Sequence, residues 1–407
     1  MGEQIGPSKG LRWLRRVWTY LTILVAIPVL VPTAILAVIY AAIVSLRGRL
    51  SWWFGTRLKV MQIVVTVFGL IMRGSSWLFN HLRGQTLYLR SPYDRVRQEL
   101  LIVGHRGAPA RECENTLPSF ACAIHLGANA IELDLCYTKD GEVVIWHDWD
   151  PDDAVALFRE AGSEPLQRCK PCFGKGEFRR CVSALTLDEL RTHCSLVERE
   201  SGAALPPGQG QIITWREFLV AAKAWPSLRT VFLDMKVPPA ECQYAAPMLL
   251  KVKADIDCIQ PDFECVVMTT YPKILQTFKA VAPDMHYCLD KEFPPVVQDL
   301  SPEFIAERST VQDALRYGHD YASIGRPTFL ALSPFELYKC VVAYDLTLRH
   351  EATRSPLVIA WTINEPDELR WLLNSGIDGI LTDQPGTLAR MELKRRAIRM
   401  WWDHHRK

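Results

Sequence analysis

From Leu100 onward, short apolar runs alternate with segments of helical spacing, and this alternation restricts the chain more than any other feature. The strand-like runs are 101–105 (LIVGH), 130–135 (AIELDL), 143–146 (VVIW), 231–236 (VFLDMK), 265–270 (CVVMTT), 286–289 (HYCL), 321–324 (YASI), 357–363 (LVIAWTI) and 379–382 (GILT). Helical spacing fills 116–127, 215–224 and 366–375 between some of them. Alternating strands and helices imply an α/β fold with a parallel sheet buried on both faces. A body of this size suits a closed TIM (β/α)₈ barrel with an insertion, expected at about 149–210. An open doubly wound sheet is the alternative, but no Gly-rich dinucleotide fingerprint follows any strand.

Polar residues gather at the carboxyl ends of these runs: His105, Glu132 with Asp134, His147, Asp234 with Lys236, Asn364 and Asp383. In a barrel those ends meet at one mouth. Asp140-Gly141 signals a two-residue hairpin. With that turn, Asp134 stands opposite His147, and Glu132 shares the face of Asp134. Two carboxylates in one patch repel each other unless a cation separates them, and oxygen ligands suit Mg²⁺ or Ca²⁺. In His105-Arg106-Gly107, the Arg offers a planar fork for phosphate oxygens, the His can move a proton, and the Gly permits close backbone approach. Together these residue types fit metal-assisted attack at phosphorus with acid–base help.

GHRGAPARECENTLPSF (104–120), AIELDLCYTKDGEVVIWHD (130–148), LDMK (233–236), AWTIN (360–364) and DGILTDQP (378–385) resemble the signature of the glycerophosphodiester phosphodiesterases. The resemblance covers about 100–390. It implies a TIM barrel that hydrolyses glycerophosphodiesters, or lysophospholipids, with a divalent cation. It also implies that His105 and His147 are the acid–base pair and that Arg106 and Lys236 contact phosphate. Glu132, Asp134 and Asp234 would be metal ligands, and Glu114 and Asn115 would support the site. The family usually carries Glu where this chain has Asp234. The phospholipase D-like toxin branch resembles this chain in using Asp there, so a lyase that releases a cyclic phosphate is one alternative. A catalytically silent lipid-binding barrel is another. Trp361 either lines the mouth or packs as a core aromatic.

The front of the chain is built differently. Residues 1–99 hold 13 Lys/Arg against 3 Asp/Glu, a net of +10, whereas 100–407 hold 34 against 42, a net of −8. A basic apolar front on an acidic body argues against nucleic acid and for membrane attachment. Residues 17–46 carry no charge, which is long enough for a transmembrane helix or, given Pro28 and Pro32, a re-entrant hairpin. The run 60–72 suits an interfacial helix. On this reading 1–83 is a membrane anchor region and 84–99 a linker, while 391–407 is a basic C-terminal helix. Flanking positive charges do not choose an orientation. The 12 Cys are too irregular for a disulfide scaffold and are expected mostly as thiols in a reducing compartment, a lean toward a cytosolic body. Cys169-x-x-Cys172 with Cys181 and Cys194 has one tight pair where a zinc knuckle uses two, leaving zinc and a redox disulfide as alternatives to free thiols. No protein partner is indicated.

Overall fold

A computed structural model describes residues 99–206, 208–291, 307–326 and 335–405. The proposed anchor, with its runs 17–46 and 60–72, lies outside the described residues, as does nearly all of the linker. Among the described residues no helix is long and apolar enough to cross a membrane.

The strands are β1 (Leu101–His105), β2 (Ala130–Tyr137), β3 (Val143–Ile145), β4 (Cys169–Cys172), β5 (Ser195–Glu198), β6 (Thr230–Met235), β7 (Glu264–Thr269), β8 (His286–Lys291), β9 (Tyr321–Gly325), β10 (Leu357–Trp361) and β11 (Gly379–Thr382). Parallel pairing runs β1-β2-β6-β7-β8-β9-β10-β11 and returns to β1, closing a TIM-type barrel of eight strands. All nine runs read from the sequence form strands. β4 and β5, an antiparallel pair, were not read as strands. Each is four residues long, and β4 carries a Pro, so neither shows clear periodicity.

The barrel interior is packed by Val103, Ala130, Phe232, Cys288, Tyr321, Ile359 and Leu381, among others. Strand side chains repeat every two residues. The next inward position on each strand is therefore His105, Glu132 and then Asp134, Asp234, Asp290, Ser323, Trp361 and Asp383. Thus the apolar plug is capped, strand by strand, by polar groups at the carboxyl end. Outside it, helices pack apolar faces onto the sheet; Phe218 and Leu219 of helix Trp215–Ala222 are fully buried. Thr214 and Glu217 close that helix's first turn as a capping box.

The hairpin register needs correction. The hairpin between β2 and β3 pairs Leu135 with Ile145 and Tyr137 with Val143, one residue away from the anticipated register. The loop is the three residues Lys139-Asp140-Gly141, closed by Thr138 N–H to Glu142 O at 2.9 Å, with Gly141 at φ +84°. A three-residue loop with Gly in the left-handed position is the next commonest hairpin after the two-residue one. Trp146, not His147, hydrogen-bonds to the Asp134 backbone, and His147 follows the end of the ladder. The basic C-terminal segment is helical, as expected, within a longer element. It continues helix Pro385–His405, where Glu392 reaches Arg395 at 2.7 Å and Arg396 at 3.0 Å.

The insertion runs from the end of β3 to Thr214. It contains helices Ala154–Glu160 and Leu187–His193 and the β4–β5 pair. Cys169 on β4 is joined to Cys113 by a disulfide, which corrects the expectation of free thiols at that position. Cys172, Cys181 and Cys194 are free. Among the described residues, they do not converge into a group able to hold a metal.

Candidate active site

The turn after β1 fixes the first part of the site. Gly107 has φ +94°, and a Cβ there would lie 2.4 Å from Ser119 Oγ, so only glycine fits. Ser119 donates to Arg106 O and accepts from Ala108 N–H, tying the His-Arg-Gly turn to helix Leu117–His125. Thr116 caps that helix, which holds Glu114 and Asn115 in the approach to it. Arg106 and Asn115 both adopt left-handed backbone, at φ 51° and 56°, and Asn115 N–H donates to Arg106 O.

These two side chains reach toward β2. Arg106 Nη1 donates to Glu114 Oε2 at 2.8 Å, and its Nε stands 3.0 Å from Asp134 Oδ2, outside hydrogen-bond alignment. Asn115 Nδ2 donates to the same Asp134 oxygen at 2.7 Å. Lys236 pairs with Asp134 Oδ1 at 2.9 Å and with Asp234. Glu132 accepts the Arg106 backbone N–H at 2.9 Å.

Glu132, Asp134 and Asp234 bring one oxygen each within 4.8 Å of the others, the group among the described residues that can hold a metal ion. Register explains the convergence: β1 and β2 pair His105 with Glu132, and β2 and β6 pair Asp134 with Asp234. Burial, then the charge of Asp134, pushes the Glu132 carboxyl up to about 8. Burial raises Asp234 as well, while Lys236 opposes it. Asp134 is held far below the usual carboxylate range, because Lys236 and Arg106 outweigh the cost of burial. Three crowded oxygen donors, two of them resisting ionisation, fit a hard divalent cation.

Each histidine is held by a carboxylate at Nδ1. His105 meets Asp383 Oδ1 at 2.7 Å, and Asn364 donates to the other oxygen of Asp383 at 2.6 Å. His147 meets Asp148 Oδ1 at 2.7 Å. Their basicities diverge. Burial and Arg106 oppose a charged His105, yet Asp383 and Glu132 prevail and its pKa is raised. Desolvation of the largely enclosed His147, with the positive charge of Arg106, Lys236, Arg159 and His105 around it, drops its pKa well below the ordinary value.

Several participants lay outside the sequence reading. Arg159, 2 % exposed, comes from the insertion helix Ala154–Glu160 and binds Glu114 and Asp148 together. Arg106 and Arg159 hold Glu114 down at about 2 against burial, whereas burial raises Asp148 to about 6. Asp148 adjoins His147 in sequence, and that adjacency was a signal; Arg159 had none. Trp361 is half-buried against the interior plug at the end of β10, apart from the ionic cluster. The structure thus gathers His105, Arg106, Glu114, Asn115, Glu132, Asp134, Asp234 and Lys236 directly. His147 joins them through Asp148 and Arg159.

The sequence profile described as the glycerophosphoryl diester phosphodiesterase family matches residues 105–387. A glycerophosphodiester phosphodiesterase of Caldanaerobacter subterraneus is 48 % identical over 48 residues, which is 12 % of this chain and 20 % of that protein. The lysophospholipase D GDPD1 of Homo sapiens is 36 % identical over 78 residues, 18 % of this chain and 25 % of that one. The matched segments therefore span a quarter or less of these relatives' length. A solved Silicibacter pomeroyi structure, described as a candidate glycerophosphoryl diester phosphodiesterase, has a TM-score of 0.54 at 24 % identity, covering 76 % of this chain and 97 % of the other. The glycerophosphodiester phosphodiesterase structure from Parabacteroides distasonis gives 0.50 at 14 %, covering 72 % and 97 %. These structural likenesses establish the shared fold. Because the family profile extends over most of the chain and takes in the histidine turn, the carboxylate strands and the final β-strand, this chain belongs to the glycerophosphoryl diester phosphodiesterase family.

Proposed function

We propose that the protein is a phosphodiesterase that cleaves glycerophosphodiesters or lysophospholipids by acid–base catalysis between His147 and His105. The observation that carries this reading is the pair of carboxylate-held histidines with opposite shifts, set beside three converging carboxylates. Glu132, Asp134 and Asp234 would hold Mg²⁺ or Ca²⁺, which when bound supplies positive charge for a phosphate oxygen. Arg106 and Lys236 add fixed positive charge and stabilise the charge that develops at phosphorus. His147, neutral at physiological pH, takes the proton of the attacking hydroxyl, from water or from the substrate itself. His105, biased toward its charged form by Asp383, protonates the leaving oxygen. Glu114 and Asn115 orient Arg106 and Asp134, and Trp361 contacts the substrate's organic part. The human relative's lysophospholipase D name supports including lysophospholipids. The uncharged run 17–46 and the net +10 front support a membrane-anchored enzyme, which is part of the same proposal.

The test is an assay of the purified full chain against glycerophosphodiesters and lysolipids, with and without EDTA, with products identified by phosphorus NMR. Cleavage that stops on chelation and returns with Mg²⁺ or Ca²⁺ is expected. Full activity after exhaustive chelation would refute the metal assignment. A cyclic phosphate product would identify the substrate's own hydroxyl as the nucleophile.

A further inference from the structure

Helix Pro385–His405 carries charge opposite in sign to the rest of the barrel. Residues 385–407 hold 7 Lys/Arg against 2 Asp/Glu, whereas 100–384 hold 27 against 40. The inner side of the helix is packed, with Leu388 fully buried and Ala389 nearly so. Its outer side is Arg390, Leu393, Lys394, Ala397 and Ile398, all exposed and at the three- and four-residue spacing that puts them on one face. Leu393 is 66 % exposed and Ile398 50 %. Among the described residues no other helix leaves two large apolar side chains in water; Val155, Val220, Leu250 and Leu315 stand one to a helix.

Aliphatic and basic groups alternate on this face with no acid between them. Glu392, the nearest carboxylate in the sequence, is buried and accepts from Arg395 and Arg396. Apolar side chains for the acyl boundary and cationic heads on long apolar stems for the phosphates are what an anionic bilayer surface binds. The place where the front of the chain enters selects this partner over a protein. Glu99, where the described residues start, stands 3.9 Å from Arg396 on the same helix. The uncharged run 17–46 and the net +10 front therefore join the barrel beside this face. A bilayer that holds the front is offered to it at the high effective concentration of a tether.

We propose that this face is a second membrane contact: Leu393 and Ile398 enter the headgroup boundary of an anionic bilayer, and Arg390 and Lys394 pair with its phosphates. Each basic residue at such a surface strengthens attraction about fivefold, and the two apolar side chains add burial that salt does not screen. In the sequence Trp401 continues the same spacing, and Trp is a residue type that favours the headgroup boundary. The contact fixes which side of the barrel meets the bilayer, which attachment through the front alone does not. It lies outside the catalytic machinery and rests on the proposed function only for the anchor.

The experiment uses the full chain reconstituted with phosphatidylcholine vesicles, with and without phosphatidylglycerol, and a photo-crosslinking side chain at one position. Leu393→p-benzoylphenylalanine probes the face, and Val220→p-benzoylphenylalanine, on another helix, is the control. Mass spectrometry counts lipid adducts, and flotation measures membrane attachment. In anionic vesicles position 393 should give about fivefold more lipid adduct than 220, or better. High salt, or the added pair Arg390→Glu and Lys394→Glu, should cut that yield by about fivefold or more. The salt arm needs no further variant, so the charge test does not depend on folding. Adducts at 393 no more abundant than at 220, adducts to protein in place of lipid, or a yield indifferent to lipid charge would overturn the contact. Flotation without adducts at 393 would overturn the contact and leave the anchor standing. Adducts at 393 with flotation lost in high salt would support the contact and refute the anchor.

Discussion

His105 and His147 start from the same side chain and end with opposite basicities, which gives the pH–rate profile a definite form. His147, lowered, is in its base form down to below the ordinary 6.5, and His105, raised, is in its acid form to above it. The rate should therefore rise through the lowered His147 value and fall through the raised His105 value, a bell straddling about 6.5. His147→Ala should remove the acid limb and His105→Ala the alkaline limb, each with a loss of about 10²–10⁴ in kcat and an unchanged circular dichroism spectrum. An alkaline limb that survives in His105→Ala would assign the acid role elsewhere. Most of this was legible because the motif residues sit at strand ends with the right parity. Which partner His105 takes was not, since Asp383 lies 278 positions from it. Arg159 illustrates the same limit: as one Arg in an amphipathic insertion helix it reads as solvated, yet it bridges two buried carboxylates. Arg159→Ala removes one of two partners from both Glu114 and Asp148, leaving Arg106 and His147, and should cost about 1–3 kcal/mol by urea unfolding. A cost under about 1 kcal/mol would mean that the bridge does not stabilise the loop.

At the scale of elements, every strand of the barrel could be read because a parallel strand buried on both faces is a nearly continuous apolar run. The hairpin after β2 shows where pattern stops deciding. Asp-Gly announced a turn, but a turn dipeptide fits loops of two or three residues, and one residue of difference moves the register. The error did not misplace His147 functionally, because the ladder ends at Ile145 and the chain is free to redirect the next side chains. The disulfide was illegible for another reason: nothing in the spacing of 12 cysteines singles out Cys113 and Cys169, which are 56 positions apart. It fastens the loop carrying Glu114 to strand β4 of the insertion. Cys169→Ser should lower stability by about 2–4 kcal/mol. Differential scanning calorimetry of wild type with and without reductant should reproduce the shift, and equal melting temperatures would show that the covalent tie is redundant.

For the molecule as a whole, the acidic barrel and the basic front should act on different substrates. Every residue assigned to chemistry lies beyond Leu100, so 84–407 alone should still cleave a small soluble diester. Its activity on 1-acyl lysolipid in anionic vesicles should fall much further. The wild-type advantage on vesicles should shrink as salt shortens the Debye length from roughly 8 Å at physiological ionic strength. Equal losses on soluble and vesicle substrates would remove the front from substrate presentation.

The bridge from Arg159 also bears on how such an enzyme can be re-engineered. Loops on a barrel's upper rim are the customary place to exchange specificity, as cassettes cut at their two ends. Here the segment between β3 and Thr214 is not a cassette. It supplies a second cation, Arg159, for Glu114 and one half of the bond to Cys113, so its true junctions number four, two of them inside the neighbouring β1 loop. A chimera spliced only at the ends inherits a Glu114 left with Arg106 as its one cation of the pair and an odd thiol at Cys113 beside its own active site. A graft that carries residues 113–115 along with the segment keeps the set whole. The unit of inheritance at this rim is a pair of loops, and a specificity library would have to vary them as one.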